Sequence, residues 1–233
     1  MKEIDIVIAT RNRFEKLDKT IDSILNQRTP GHLADINIHI IFDGDKEGYE
    51  ILNKIYYPGE GAIYSCILSP DHIGSVAARN LITPFVQDGL IWATDDITFS
   101  PGSIESAFKS FNEHFPDDDG VVGFIQEGVP NFHPTGVGLM GQKFLQRYPG
   151  KKPFFPGYYH FSCQEIYWLA MKYNKFYQDP NAKLFHYHPC FHKELVDQTH
   201  IDARVRKVED MRLIKEREAK GLIWGDSNDI IEM

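Results

Sequence analysis

Asp95 and Asp96 stand side by side at the end of the apolar run Ile91-Trp92-Ala93-Thr94. Two adjacent carboxylates repel each other unless a cation or a metal-bound phosphate lies between them. A run of this composition is the pattern of a buried central strand, and ligands of open α/β sheets bind beyond the carboxyl ends of such strands. A magnesium or manganese ion gripping a diphosphate is the commonest chemistry that calls for such a pair. The plainer reading is a solvated turn in which the two acids cap the next element of the chain.

Four more places carry groups of the right kind. Asp43 closes the apolar run 36–42 and precedes Gly44, which permits a tight turn toward a ligand. An acid there accepts the imide N–H of a uracil or ribose hydroxyls; an Asx-turn explains it equally well. Arg79 ends the small-residue stretch Gly74-Ser75-Val76-Ala77-Ala78, where it faces the phosphates of an anionic donor or simply solvent. Glu165 follows the aromatic segment 154–160 and fits a general base at a pocket mouth. It fits just as well the closing acid of a capping box with Ser162. His186 and His188 share one face of a strand, with His192 nearby, a spacing suited to a divalent metal or a leaving diphosphate.

The elements that must position these groups alternate along the chain. Strand-like runs at 4–9, 36–42, 62–68 and 90–94 are separated by stretches of helical spacing, such as Phe14, Leu17, Ile21 and Ile24. Repeated strand–helix alternation predicts right-handed crossovers and a parallel sheet. Ser100 with Pro101 predicts a helix start, and 121–125 a fifth strand. Residues 126–160 are rich in Gly, Pro and aromatics with little periodicity, as functional loops are. Helical spacing returns at 166–173 and a strand at 184–187. A charged helix over about 200–220 has Ile201, Val205, Val208, Met211 and Leu213 as its narrow apolar side, expected to pack on the domain or on a second subunit.

Composition narrows the classes. The 233 residues suffice for one large α/β domain, with 42% hydrophobic and 25% charged residues. No apolar run is long enough to span a bilayer, and the acidic start lacks the form of a signal peptide. Three widely spaced cysteines, Cys66, Cys163 and Cys190, read as reduced thiols of a cytoplasmic protein. A net charge of −8 argues against broad nucleic-acid binding.

Taken in order, the pieces resemble the family 2 glycosyltransferases of the GT-A fold. Ile6 to Arg13 is similar to that family's first strand and loop, and Ile41-Phe42-Asp43-Gly44-Asp45 to its acidic turn at the nucleotide base. Gly74 to Asn80 is similar to its G-x-x-x-A-R-N segment, Thr94-Asp95-Asp96 to its DxD motif, and Ser162 to Leu169 to the helix of its catalytic base. Asn181 to His186 resembles its late metal-site strand. The resemblance covers about residues 3–190. Two departures stand out, since Thr94 replaces the first acid of DxD and Gln164 the first of a Glu-Asp pair.

The resemblance implies a GT-A-type, Rossmann-like α/β fold with a mostly parallel sheet flanked by helices. Residues 1–125 would be the nucleotide-sugar half, 126–199 the acceptor half, and 200–233 a C-terminal helix and tail. It implies transfer of a sugar from a nucleoside diphosphate to an acceptor hydroxyl by an inverting displacement. Glu165 would be the general base, with Asp96, His186 and His188 on a manganese or magnesium ion. Thr10, Arg11, Asn12, Asp43, Arg79 and Asp95 would bind the nucleotide sugar, and Tyr158, Tyr159 and His160 the acceptor. The acceptor itself stays open among a glycan, a lipid-linked sugar, a protein, a small molecule and a modified nucleic-acid base. A non-catalytic sugar-nucleotide-binding protein of the same fold is the alternative. A pyrophosphorylase is disfavoured, because Thr10-Arg11-Asn12-Arg13 lacks the glycines such enzymes need.

Overall fold

The computed structural model describes residues 3–27, 35–56, 63–161, 163–188 and 196–229; Ser162, Cys190 and His192 lie outside them. Its first half is β1 (Glu3–Thr10), α1 (Phe14–Leu25), β2 (Asp35–Asp43), α2 (Lys46–Ile55), β3 (Ile63–Ser69), α3 (Ser75–Arg79) and β4 (Gly89–Thr94). The second half runs through β5 (Ile97–Phe99), α4 (Ser103–His114), β6 (Val121–Glu127), β7 (Gly138–Met140), α5 (Gln142–Leu145), α6 (Cys163–Lys172), β8 (Phe176–His186) and α7 (Gln198–Ala219). All eight strands form one sheet in the order β3-β2-β1-β4-β7-β6-β8-β5. β1, β2, β3 and β4 are mutually parallel, as the alternation predicts. β7 lies antiparallel between β4 and β6 and joins the two halves.

Both faces of the sheet are covered, which is why β1 reads as a continuous apolar run rather than an alternating one. Ile4, Ile6 and Ile8 face a core shared with α1 and α4, while Val7, Ile41 and Trp92 face one shared with α3, α5 and α6. Among the described residues no helix is long and apolar enough to cross a membrane.

Two expectations change. The helix expected at Ser100 starts at Ser103 instead, because Ile97–Phe99 pairs with β8 and the Ser100 amide bonds Lys183 O at 3.0 Å. Gly102, at φ 75°, then makes the turn into the helix. The stretch 126–160 is also less irregular than its pattern suggests. β7 begins at Gly138, where a Cβ would come within 2.6 Å of the Trp92 ring, so this strand must open on a residue that signals a loop.

Candidate functional site

The carboxyl ends of β1, β2 and β4 open into a cavity of about 240 Å³. Thr10, Arg11, Arg13, Asp43, His72, Ser75 and Arg79 line it from one half of the sheet, and Thr94, Asp95 and Asp96 sit at its floor. Tyr159, His160, Phe161, His186 and His188 line the other side. α7 closes the cavity with Thr199, His200, Asp202, Ala203, Arg204 and Lys207.

Asp95 and Asp96 are both 4% exposed, so the solvated turn does not describe them. Asp95 accepts from Thr10 Oγ1 at 2.8 Å and from Arg13 Nη1 at 3.1 Å. Burial raises the Asp95 carboxyl above its ordinary range, against the pull of Arg13. Asp96 faces Arg13 Nη1 at 3.4 Å and His186 Nε2 at 3.3 Å. Burial works to raise this carboxyl too, but His186 and Arg13 outweigh it and hold it well below the usual carboxylate range. Arg13 thus stands between the two acids and ties them to α7 through Asp197, at 2.8 and 2.9 Å, and His200, at 2.9 Å. Sequence reasoning named Arg11 and Asn12 here and missed Arg13, whose partners lie 82 to 187 residues away.

β5 is the element that brings the late histidine to the acids. Ile97 pairs with His186, and the Tyr187 amide bonds Asp96 O at 2.8 Å. Gln126 Oε1 lies 2.8 Å from His186 Nδ1 and, by accepting from it, turns Nε2 toward Asp96 Oδ1. With a proton on Nε2 the two form an ion pair at 3.3 Å; without it they are an adjacent nitrogen and oxygen donor pair. Asp96 and His186 therefore fit a divalent metal completed by phosphate and water oxygens. No group of three or more acid, histidine or cysteine ligands stands ready among the described residues. His188 also lines the cavity, with ring centroids 5.5 Å from His186 and 5.2 Å from His200. Burial and the neighbouring His186 lower its imidazole to about 4.

Arg79 is buried, with its guanidinium 5.4 Å from the Phe154 ring centre and no ion pair among the described residues. Its Nε and the Ser75 Oγ, one turn away on α3, are buried without hydrogen-bond partners. A desolvated cation of this kind is costly unless an anion joins it. The surface-arginine reading does not hold.

Asp43 also lines the cavity, but its two oxygens accept from the amides of Ile73, at 2.7 Å, and Gly74, at 2.9 Å. Arg11 spans the rim to Asp202 at 2.5 Å. Asn12 is not a lining residue. It occupies a left-handed turn at φ 54° and donates its amide to Asp45.

The structure places Glu165 away from the cavity. The side chain is 1% exposed and takes Arg217 Nε at 2.6 Å, Arg217 Nη2 at 2.9 Å, the Trp224 amide at 2.5 Å and the Tyr158 hydroxyl. With every acceptor position occupied by a buried donor, it has no oxygen left for an acceptor hydroxyl. The expected base is thus the anchor of the C-terminal segment, with Asp229 as the second partner of Arg217. Tyr158, 3% exposed, turns with it and does not line the cavity. Tyr159 and His160 do line it. Asp210 of α7 accepts the amides of Tyr159, His160 and Phe161 at 3.0, 2.8 and 2.9 Å, which fixes that wall from behind.

A family model for glycosyl transferase family 2 matches residues 5–186. No curated protein matches the sequence. Among solved structures, the chain is similar to a mannosyltransferase, PcManGT from Pyrobaculum calidifontis, solved with GDP-Man and Mn2+. The identity is 11% and the TM-score 0.64 over 90% of this chain and 61% of that one. It is also similar to S. aureus TarS 1-349, at 12% identity and a TM-score of 0.57, over 79% and 60%. GalNAc-T7, solved with UDP, GalNAc and Mn2+, matches at 14% identity and a TM-score of 0.65, over 80% and 44%. At these identities the likeness is one of fold, and the chain spans less than two thirds of each of the three.

Proposed function

The chain belongs to glycosyl transferase family 2, and from that premise we propose that it moves a sugar from a nucleoside diphosphate to an acceptor hydroxyl. The observation that carries this reading is a single cavity holding both an acid–imidazole pair suited to a cation and a buried arginine with no counter-ion among the described residues. The manganese and nucleotide ligands of the structural neighbours support it.

In this reading Thr10, Arg11 and Asp43 hold the nucleoside. Asp43 does so largely by fixing the Ile73–Gly74 amides that shape the rim. Asn12 contributes the turn that aims Arg11 and Arg13. Arg79 and Ser75 receive the phosphates. Asp96 and His186 hold a manganese or magnesium ion, which would offset the charge growing on the leaving diphosphate. Asp95 stays with Thr10 and Arg13 and keeps the floor of the site in place.

An inverting displacement also needs a proton acceptor. We assign it to His160 rather than Glu165. The ring lines the cavity beside Tyr159 and keeps an exposed edge; desolvation on its inner side and the neighbouring Arg79 lower the imidazole, which favours the neutral form.

The test is a panel of UDP-, GDP-, CDP- and dTDP-sugars, read by release of nucleoside diphosphate with manganese and with chelator. Manganese-dependent release from one nucleotide class, abolished by Asp96→Ala when counted per folded molecule, is expected. Tight nucleotide-sugar binding without turnover on any acceptor class would favour the non-catalytic reading. Full turnover in excess chelator would remove the cation from the scheme.

A further inference from the structure

α7 is amphipathic in the reverse sense. Its buried side carries His200, Asp210 and Arg217 beside Ile214, because the helix docks through ion pairs and amide caps. Its outward side instead carries Ile201, Val205 and Val208, at 47%, 68% and 72% exposure, with Val196 before it and Met211 at its edge. At 100° per residue the first three form one stripe over two turns. Of the apolar side expected to pack on the domain, Leu213 does so, while Ile201, Val205 and Val208 face outward.

Charge says what covers the stripe. Arg206 and Arg212 are matched by Glu209 and Glu216. Arg204, Lys207 and Lys215 make no ion pair among the described residues, and all three are exposed. In a chain of net charge −8, Arg204 and Lys215 lie beside the stripe on the helical wheel, and Lys207, 5.4 Å over the Phe161 ring, continues the basic side toward the cavity. Both signals together match an anionic lipid surface, where apolar side chains enter the headgroup boundary and lysines and arginines meet the phosphates. A nucleic acid would use the cations and leave the valines in water. A second copy would need roughly 20–30 residues a side, far more than this stripe supplies.

We infer that the outward face of α7 docks this protein reversibly onto an anionic bilayer. Arg204 lies on the helical wheel between the stripe and Lys207, and both cations line the cavity mouth. Docking therefore sets the mouth beside the headgroups. If the proposed transfer holds, the acceptor hydroxyl belongs to a membrane-borne molecule; the docking itself does not depend on that reading.

Co-sedimentation with vesicles of equal parts phosphatidylcholine and phosphatidylglycerol tests the surface, with pure phosphatidylcholine as the contrast. Binding to the mixed vesicles alone, weakened by salt, is expected. Val205→Asp with Val208→Asp should lower partitioning about tenfold or more, with manganese-dependent binding of GDP or UDP unchanged. Absent or equal binding to both vesicle types, or normal partitioning of the double variant, would overturn the proposal. So would a dimer in sedimentation equilibrium that the double variant dissolves, or a single-stranded oligonucleotide binding more tightly than the mixed vesicles. Loss of nucleotide binding with vesicle binding intact would instead count against the proposed transfer alone.

Discussion

Glu165 shows how a single residue can satisfy a pattern for the wrong reason. Its place at the start of a helix, after an aromatic segment, is where a catalytic base is expected, and the partners that occupy it most lie 52 and 59 residues further on. Glu165→Gln should therefore act on stability. Breaking a buried ion pair costs about 3–5 kcal/mol, with the lower end expected because Asp229 remains beside Arg217. Calorimetry should show the lowered Tm while turnover per folded molecule persists. A loss of about 10²-fold at unchanged Tm would restore the base reading. Gln126 is the converse, a residue the sequence left unmarked that orients His186. Gln126→Ala should weaken manganese binding by about 10–100-fold, read by titration of the free ion, and Gln126→Glu should recover much of it. Unchanged affinity would mean that His186 needs no such support. The adjacent acids were legible because an apolar strand ending in two carboxylates is a local signal; Arg13 was not, because its meaning lies in what it touches.

Among the elements, α7 was the least legible. Its apolar residues do fall on one side, and the usual rule sends that side inward. The rule fails because ionic contacts fix the helix first: Arg217 to Glu165 and Asp229, Asp210 to three amides, and Asp197 to Arg13. Asp210 matters most for the site, since it holds the wall that carries Tyr159 and His160. Asp210→Ala should leave three amides without their acceptor, at a cost of about 1–3 kcal/mol for each one that water does not reach. Hydrogen exchange should quicken across 159–161, and KM should rise more than kcat falls. Slow exchange there in the variant would show that Tyr159 packing on Gly74 suffices without the carboxylate. β5 and β7, at three residues each, were missed for a related reason: strands this short have no period to read, and only their pairing defines them.

At the scale of the molecule, the parallel half was readable because four buried strands alternate with helices, whereas the second half joins short antiparallel pairings to a parallel β6–β8 pair between segments far apart in the chain. That assembly confines charged groups with a neutral imidazole, and this gives the whole fold a pH dependence. His160 carries an ordinary imidazole value of 6.5 in the unfolded chain and about 4 in the folded one, lowered first by burial and then by Arg79. Between those values the unfolded chain binds the additional proton, so stability rises with pH through the window. The contribution is complete above pH 6.5 and lost as pH falls toward 4. His160 is nonetheless an exposed residue at the cavity, so solvent screens much of that shift and the slope is a fraction of that of an enclosed group. Carboxylates titrate at the acid end of this range too, so the informative quantity is the Tm difference between the protein and His160→Gln. That difference should hold steady above pH 6.5 and shift in favour of His160→Gln as pH is lowered to 4. Parallel Tm curves for the two proteins across the window would mean that the imidazole protonates in place, with Asp210 and Asp96 near enough to offset Arg79.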